Sequence, residues 1–266
     1  EIADGDWSSD VCSSDLIRLQ LHHRENNIEL HGSPTHLFQY WYNTFSARGR
    51  YISIISGDDY WTDSRKVKRQ CETLKNRKNA YISFHNAKRS PNTEETVIDK
   101  RMQNKISAKE LRSGWAPPAS TVTFKNKLTR IPSVFDRCIN EDMLLSCILG
   151  GYGSAFYESQ ISDAIYRSHG DNLWSKKYKK NFALISTYRC LATLNQFRGY
   201  NGEAYECKSK MINSCISHYA KNRETNKIIK WTIKIVTLST ISKHLSISSV
   251  NVKKYTRWIL SSLLSN

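Results

Sequence analysis

The chain has 266 residues, with 40 Lys and Arg against 24 Asp and Glu, a formal charge of +16 at neutral pH. That length is ample for a sizeable core, either as one α/β domain with an appendage or as two small domains, and the basic balance points to an acidic partner such as nucleic acid, an anionic membrane or phosphorylated substrates. Seven cysteines with no C-x-x-C pair and no regular spacing exclude a zinc signature and a disulfide framework, and they read as small buried hydrophobes in a reducing compartment.

Residues 1–16 stand apart from the rest. The run DWSSDVCSSDL, Asp6 to Leu16, is matched codon for codon by a nucleotide string resembling a common sequencing-library adapter, so the segment is read as a non-native leader and left out of fold reasoning. It carries five acidic residues (Glu1, Asp4, Asp6, Asp10, Asp15) and no basic one, so without it the charge rises from +16 to +21. Ile17 to Leu21 alternates like a strand, and His22 to Asn27 is a polar loop whose adjacent histidines lack a partner at ligand spacing. Ser33-Pro34-Thr35 supplies an N-cap and an N1 proline, and Leu37, Phe38, Trp41 and Phe45 recur at helical spacing, so a core-facing helix is expected here. Arg48 and Arg50 follow as surface charges.

The stretch from Tyr51 to Asp63, YISIISGDDYWTD, carries the strongest chemical signal. Strand-like Tyr51 to Ile55 runs into Ser56-Gly57, and the turn then presents Asp58 and Asp59. Two carboxylates at a strand's end suit a hard divalent cation or sugar hydroxyls. On spacing alone the commoner use of such a pair is ordinary turn chemistry, with Thr62-Asp63-Ser64 capping the next helix. In that helix, Arg65 to Lys78, the apolar face is Val67, Cys71 and Leu74, while Lys66 joins the bases of a solvated face that also suits an anionic bilayer. Tyr81 to Phe84 reads as a strand ending in His85-Asn86, where His85 suits either the core or a substrate contact.

Ser90 to Arg112 has no sustained period and reads as a loop with a short helix at Ala108 to Arg112. PPASTVTF, Pro117 to Phe124, places small polar residues ahead of a strand. Asn140-Glu141-Asp142 before Met143, Leu144, Cys147 and Ile148 is an acid-rich first helical turn, which the helix dipole favours. Gly150 to Gly153 turns the chain into a strand at Ala155 to Tyr157, and IYRSHGDNLWS, Ile165 to Ser175, follows. From Lys176 the composition becomes basic and helical. Ile228 to Ile247 is apolar but interrupted by Lys230, Lys234, Lys243 and His244, too broken to span a bilayer, and it suits a basic amphipathic surface helix or a bundle cap.

GDDYWTD, the basic helix after it and YISFHNA together resemble the metal-binding core of family 2 glycosyltransferases with the GT-A fold. PPASTVTF, Asn140-Glu141-Asp142 and IYRSHGDNLWS resemble later motifs of that family, the last its YRxHGGxxWS closing motif. The resemblance covers roughly Ile17 to Ser175. It implies an α/β, GT-A (Rossmann-like) nucleotide-sugar transferase fold lacking its first strand or strands. Residues 17–175 would form a partial catalytic domain and 176–266 a basic helical C-terminal region. A chain that starts in mid-domain near Ile17 holds no counterpart of the family's opening strand and first nucleotide-binding loop.

The resemblance also assigns roles. Asp58, Asp59 and His169 would hold Mg or Mn, and with Arg167 they would face the diphosphate of a nucleoside-diphosphate sugar donor. Asp142 would act as general base toward the acceptor hydroxyl, with Glu141 as understudy. The implied reaction is inverting transfer to a glycan or lipid-linked acceptor in bacterial surface polysaccharide synthesis, in the cytoplasm or at the inner face of the membrane. Ser56 stands where many relatives carry Asp or Glu for the ribose, and Asp171 where Gly is frequent. Two other readings are an inactive fragment of such an enzyme and a basic nucleic-acid-binding protein. The bases are spread along helices and not interleaved with stacking aromatics, so no nucleic acid is expected.

Overall fold

The computed structural model describes residues 35–91, 97–98, 104–128, 138–167, 180–221, 226–227 and 230. The leader, the strand and loop expected between Ile17 and Asn27, the Ser33-Pro34 cap, His169 and all but Lys230 of the Ile228 to Ile247 stretch lie outside them. The architecture is α/β: a mixed five-stranded sheet flanked by helices, followed by a C-terminal helical pair. Among the described residues no helix is long and apolar enough to cross a membrane.

Helix α1 (Thr35–Ser46) precedes strand β1 (Tyr51–Ser53), which stops two residues short of the expected Ile55. Helix α2 (Lys66–Asn76) leads into β2 (Ala80–Phe84) and β3 (Ala87–Ser90). Then come β4 (Lys105–Ile106), α3 (Ala108–Arg112), a 3-10 turn at Ala119–Thr121, β5 (Thr123–Lys125), α4 (Glu141–Leu149), β6 (Ser154–Tyr157) and β7 (Ala164–Arg167). The short helix predicted at Ala108 to Arg112 forms over those residues. A capping box starts it, with Glu110 N–H donating to Ser107 Oγ at 3.2 Å and Ser107 N–H to Glu110 Oε2 at 2.7 Å.

The sheet order is β1-β5-β2-β6-β4, with β2 and β6 parallel and every other pairing antiparallel. Register puts Ile52, Phe124, Ile82, Ala155 and Ile106 side by side, one from each strand. Directly paired residues project to the same side of a sheet, so these five form one apolar row, and all are buried. Trp41 and Leu144 join them in a single core. Phe124 sits mid-row with no exposure, and truncating such a residue to Ala costs ~3–5 kcal/mol, much of a domain's net stability.

The next row is polar and faces the other way. Ser53, Thr123 and Ser83 lie side by side, and α2 covers this face with Lys66, Gln70 and Leu74, one residue per helical turn. The buried stripe of α2 is therefore rotated from the expected Val67, Cys71 and Leu74, both Val67 and Cys71 being only half-buried. Hydroxyls on the strands explain the rotation, because they require polar partners once water is excluded. Thr123 donates from Oγ1 to Gln70 Oε1 at 2.7 Å and bonds Ser53 Oγ at 2.6 Å, while Gln70 Nε2 donates to the carbonyls of Ser83 at 3.0 Å and Thr121 at 2.9 Å. Lys66 Nζ donates to Thr123 Oγ1 at 3.4 Å and lies 4.1 Å from the centroid of the Trp61 ring.

The C-terminal pair is α5 (Lys180–Phe197) and α6 (Asn201–Lys221). Leu191, Leu194 and Cys207 extend the core over α4. Arg112 Nε donates to Glu203 Oε1 at 2.9 Å, its Nη2 bonds the same oxygen, and its Nη1 reaches the Gly150 carbonyl at 2.8 Å. One guanidinium thus joins α3, the end of α4 and α6. Among the described residues the cysteines form no disulfide, and Cys138, Cys147, Cys190, Cys207 and Cys215 are buried.

Burial pushes the Lys66 amine down to about 7. A depressed lysine holds its proton less well folded than unfolded, so it costs stability below pH 7, and that cost fades as pH rises through the window from about 7 to ~10.4. Lys66→Met, which keeps the stem and drops the charge, is expected to raise the Tm at pH 6. The gain should shrink toward pH 10 in paired thermal melts, and a gain that does not change with pH would refute the assignment.

Candidate active site

Ser56 to Asp59 forms a tight turn closed by Asp59 N–H to the Ser56 carbonyl at 3.1 Å, with Gly57 in open space. The chain beyond it is pinned to β7: Tyr60 and Ile165 exchange backbone hydrogen bonds of 3.2 and 2.9 Å, and β7 pairs in parallel with β3 on its other edge. This pinning brings Arg167 to the acid pair. Its amide donates to Asp59 Oδ1 at 3.1 Å, and its Nε donates to the Asp58 carbonyl. Asp63 is turn chemistry, accepting at Oδ1 from the Arg65 amide at 2.8 Å, just ahead of α2.

Asp59 is half-buried and its carboxyl is raised above the ordinary range. Burial is the main cause and the neighbouring Asp58 charge adds to it, outweighing the Arg167 amide, the Ser120 hydroxyl and the Arg167 guanidinium, which all favour the ionised form. Ser120 connects the turn to a second strip of chain. Its hydroxyl favours the ionised form of Asp59, and its carbonyl accepts from Trp61 Nε1 at 2.6 Å.

That strip, Pro117 to Ser120, also borders the second acidic feature. Asn140 caps α4 through its side chain, which accepts from the Met143 amide at 3.0 Å, so Glu141 and Asp142 occupy the first turn as expected. Asp142 keeps some exposure overall, yet its Oδ1 is buried with no hydrogen-bond partner among the described residues. Burial holds Asp142 well above the usual carboxylate range, and burial together with the Asp142 charge holds Glu141 there. The Tyr40 phenol is raised too, by its own burial and then by those two acids.

Asp142 borders two hollows. One, of about 10 Å3, is closed by Tyr40, Phe124, Pro117 and Ala119. The other, of about 490 Å3, opens between Pro117, Trp115, Tyr188 and Lys210. Asp58 and Asp59 border neither, so the acid turn and Asp142 do not share one cavity. What lies between them is the Pro117 to Ser120 strip, and the Tyr166 phenol, raised by burial, is raised further by the charges of Asp59, Asp58 and Asp142 against the opposing Arg89 guanidinium.

His85, at the end of β2, is fully buried, and neither ring nitrogen makes a hydrogen bond of ordinary geometry among the described residues. Burial, then the Lys66 charge, pushes it down to about 4, so it is a neutral core histidine and not a substrate contact. Arg48 and Arg50 are exposed. His169 lies outside the described residues. Sequence reasoning missed Lys66, Trp61, Tyr166, Tyr40, Tyr188 and Lys210. The i, i+4, i+8 stripe of Lys66, Gln70 and Leu74 was a visible rival to the apolar one, whereas no pattern ties Tyr188 and Lys210 to Trp115 and Asp142 so far back in the chain.

Compared with known proteins, the chain matches no family model and no curated protein.

A carboxyl raised by folding binds a proton that the unfolded chain has already released, so stability falls as pH climbs through the window between the two values. For Asp142, pushed up to about 7, that window runs from ~4 to about 7. Asp142→Asn should therefore melt higher than the parent protein at pH 8, by about 2–4 °C for each kcal/mol of relieved burial cost. The difference should close toward pH 4, and equal melting temperatures at every pH would show that Asp142 is not buried as described.

Proposed function

We propose that the chain is an inverting, metal-dependent glycosyltransferase of the GT-A type that moves a sugar from a nucleoside diphosphate to an acceptor hydroxyl. The observation that carries the reading is the strip from Pro117 to Ser120. Its far end accepts a hydrogen bond from Trp61 beside the acid turn, and its near end walls the cavity beside Asp142. On this reading the donor would lie at one end of a short segment and the acceptor at the other, the proximity a two-substrate transfer needs.

The residues fit a hard cation. Mg or Mn typically takes one or two protein carboxylates and completes its shell with water and substrate phosphate, and Asp58 with Asp59 offers such a pair. Among the described residues no group of three His, Cys, Asp or Glu side chains forms a fuller cage. Asp59, raised by its burial and its neighbour's charge, is a carboxylate that a cation would return to the ionised form. Bound there, the ion would offset charge gathering on the departing diphosphate. Arg167, exposed and tied to the same turn, adds a fixed positive charge on that side.

Asp142 receives the proton. As the acceptor oxygen bonds to the anomeric carbon, its O–H proton passes to the Asp142 carboxylate, and the bond from that carbon to the diphosphate oxygen breaks with its electron pair leaving on the nucleoside diphosphate. Attack opposite the leaving group inverts the configuration. A base whose proton affinity lies near operating pH combines availability with driving force, and burial puts Asp142 in that position. The wider setting, bacterial surface glycan synthesis close to the inner face of the membrane, rests on the family resemblance.

Two variants test the reading. Asp142→Asn should lose about 10²-fold or more of transfer while Mn-dependent binding of the nucleoside diphosphate persists, and Asp58→Asn with Asp59→Asn should lose that binding. Transfer by the parent protein should rise as pH passes through about 7, not through ~4 as an ordinary carboxylate would give. Calorimetry with UDP or GDP and Mn, and product detection over a panel of sugar nucleotides, supply the readouts. Undiminished turnover in Asp142→Asn would remove the base and the mechanism with it.

A further inference from the structure

The 490 Å3 cavity beside Asp142 falls within the ~300–1,000 Å3 range of small-molecule sites. Its walls come from two parts of the chain. Trp115 and Pro117 belong to the segment after α3, and Asp142 to α4, but Tyr188 and Lys210 come from the C-terminal helices α5 and α6. Gly114 lets the first wall close on the second. It has φ +90°, and a Cβ there would lie 3.0 Å from both Met143 Cε and Tyr188 Cε1.

Lys210 stands between the aromatic rings, its Nζ 6.0 Å from the centroid of Trp115 and 6.0 Å from that of Tyr188. The ammonium donates to the Ser113 carbonyl at 2.7 Å and pairs with Glu206 Oε1 at 2.9 Å. An ammonium has three N–H donors, so these two contacts leave one for a ligand. Glu206 cancels its charge, and among the described residues the other ionisable groups in the wall are the acid Asp142 and the Tyr188 phenol. The described wall therefore offers two aromatic surfaces, a single spare donor and no uncompensated positive charge.

We infer that this cavity is a subsite for a neutral pyranoside, which packs the C–H face of its ring against Trp115 and Tyr188 and gives a hydroxyl oxygen to Lys210. A sugar ring carries its C–H bonds on an apolar face and its hydroxyls round the edge, which matches aromatic walls with a polar corner. An anionic sugar fits worse, because Lys210 is already neutralised and a second carboxylate would face Asp142. The inference rests on the glycosyltransferase reading in that it makes the ring the acceptor, and it gives the C-terminal helices a role in choosing that acceptor.

Saturation-transfer NMR on the intact chain tests it with methyl glycosides of glucose, galactose, mannose and N-acetylglucosamine, and with methyl glucuronide as the anionic probe. At least one neutral glycoside should bind with a millimolar Kd and the glucuronide about tenfold more weakly or not at all. Tyr188→Leu and Trp115→Leu should each weaken the neutral glycoside about tenfold, whereas Tyr188→Phe, which keeps the ring, should bind like the parent. Thermal melts identify any variant that has lost its fold, and the Tyr188→Phe and Lys210→Met pair then carries the comparison, with only the second losing affinity.

Failure of every neutral glycoside to bind, binding that survives both leucine changes in folded protein, or a glucuronide that binds as tightly would each overturn the subsite. Calorimetry with UDP or GDP and Mn separates the two ideas. Nucleotide binding without glycoside binding removes the subsite and leaves the transferase reading intact. Glycoside binding without nucleotide binding keeps the stacked sugar site and counts against donor use by this chain.

Discussion

The contact on which the site's geometry turns is the hydrogen bond from Trp61 Nε1 to the Ser120 carbonyl, 2.6 Å long. An indole has one N–H and no acceptor, so Trp61 makes this bond or leaves a donor unsatisfied. Such a bond contributes only ~0.5–1.5 kcal/mol to stability, but it fixes where two loops lie relative to each other. The acid turn hangs on one side of it and the Pro117 to Ser120 strip on the other. Lys66 packs beneath the same indole at 4.1 Å, and Tyr60 beside it is stitched to Ile165. The turn is thus held from three directions by the protein's own contacts.

Burial also imposes costs on ionisable groups of α2, the end of β2 and the first turn of α4. Lys66, His85, Glu141 and Asp142 are ionisable groups whose charged forms burial disfavours. The apolar row across all five strands, with Trp41 and Leu144 against it, supplies the burial that offsets them. A net stability of only ~5–15 kcal/mol leaves little room for unused charges, and perturbed groups concentrate where chemistry is done. Lys66 is the informative case. A methionine would fill its position beneath Trp61 at lower cost, yet the helix turns its lysine inward.

Local chemistry made much of the chain readable. Ser107 and Glu110 announce α3 three residues apart, Asn140 ahead of two acids announces α4, and the β2 and β6 strands end within a residue or two of where their apolar runs end. Those signals act over one or two turns of chain. The orientation of α2 was not readable, because Val67, Cys71, Leu74 and Lys66, Gln70, Leu74 are both helical stripes, and the choice depends on Thr123 and Ser83 from distant strands. Strand order escaped for the same reason: nothing near Thr123 says that β5 will run antiparallel between β1 and β2. The acid turn was found because its acids are adjacent, while Tyr166 and Tyr40 were not, since they meet those acids only through tertiary packing.

The C-terminal helices change meaning once their contacts are traced. Composition separates them from the preceding domain, as a basic helical region with no motif of its own. Packing joins them to it, with Leu191 and Cys207 in the shared core and Arg112 bonded to both Glu203 and Gly150. The Thr187 hydroxyl accepts from the Asn140 amide at 3.2 Å, so α5 touches the residue that caps the helix carrying Asp142. A cap fixes where a helix begins, and the first turn of α4 is where Glu141 and Asp142 sit. The position of the proposed base therefore depends on α5 as well as on the sheet, so a fragment ending before Lys180 would keep every motif readable in the sequence and still lose one of the supports that aim Asp142.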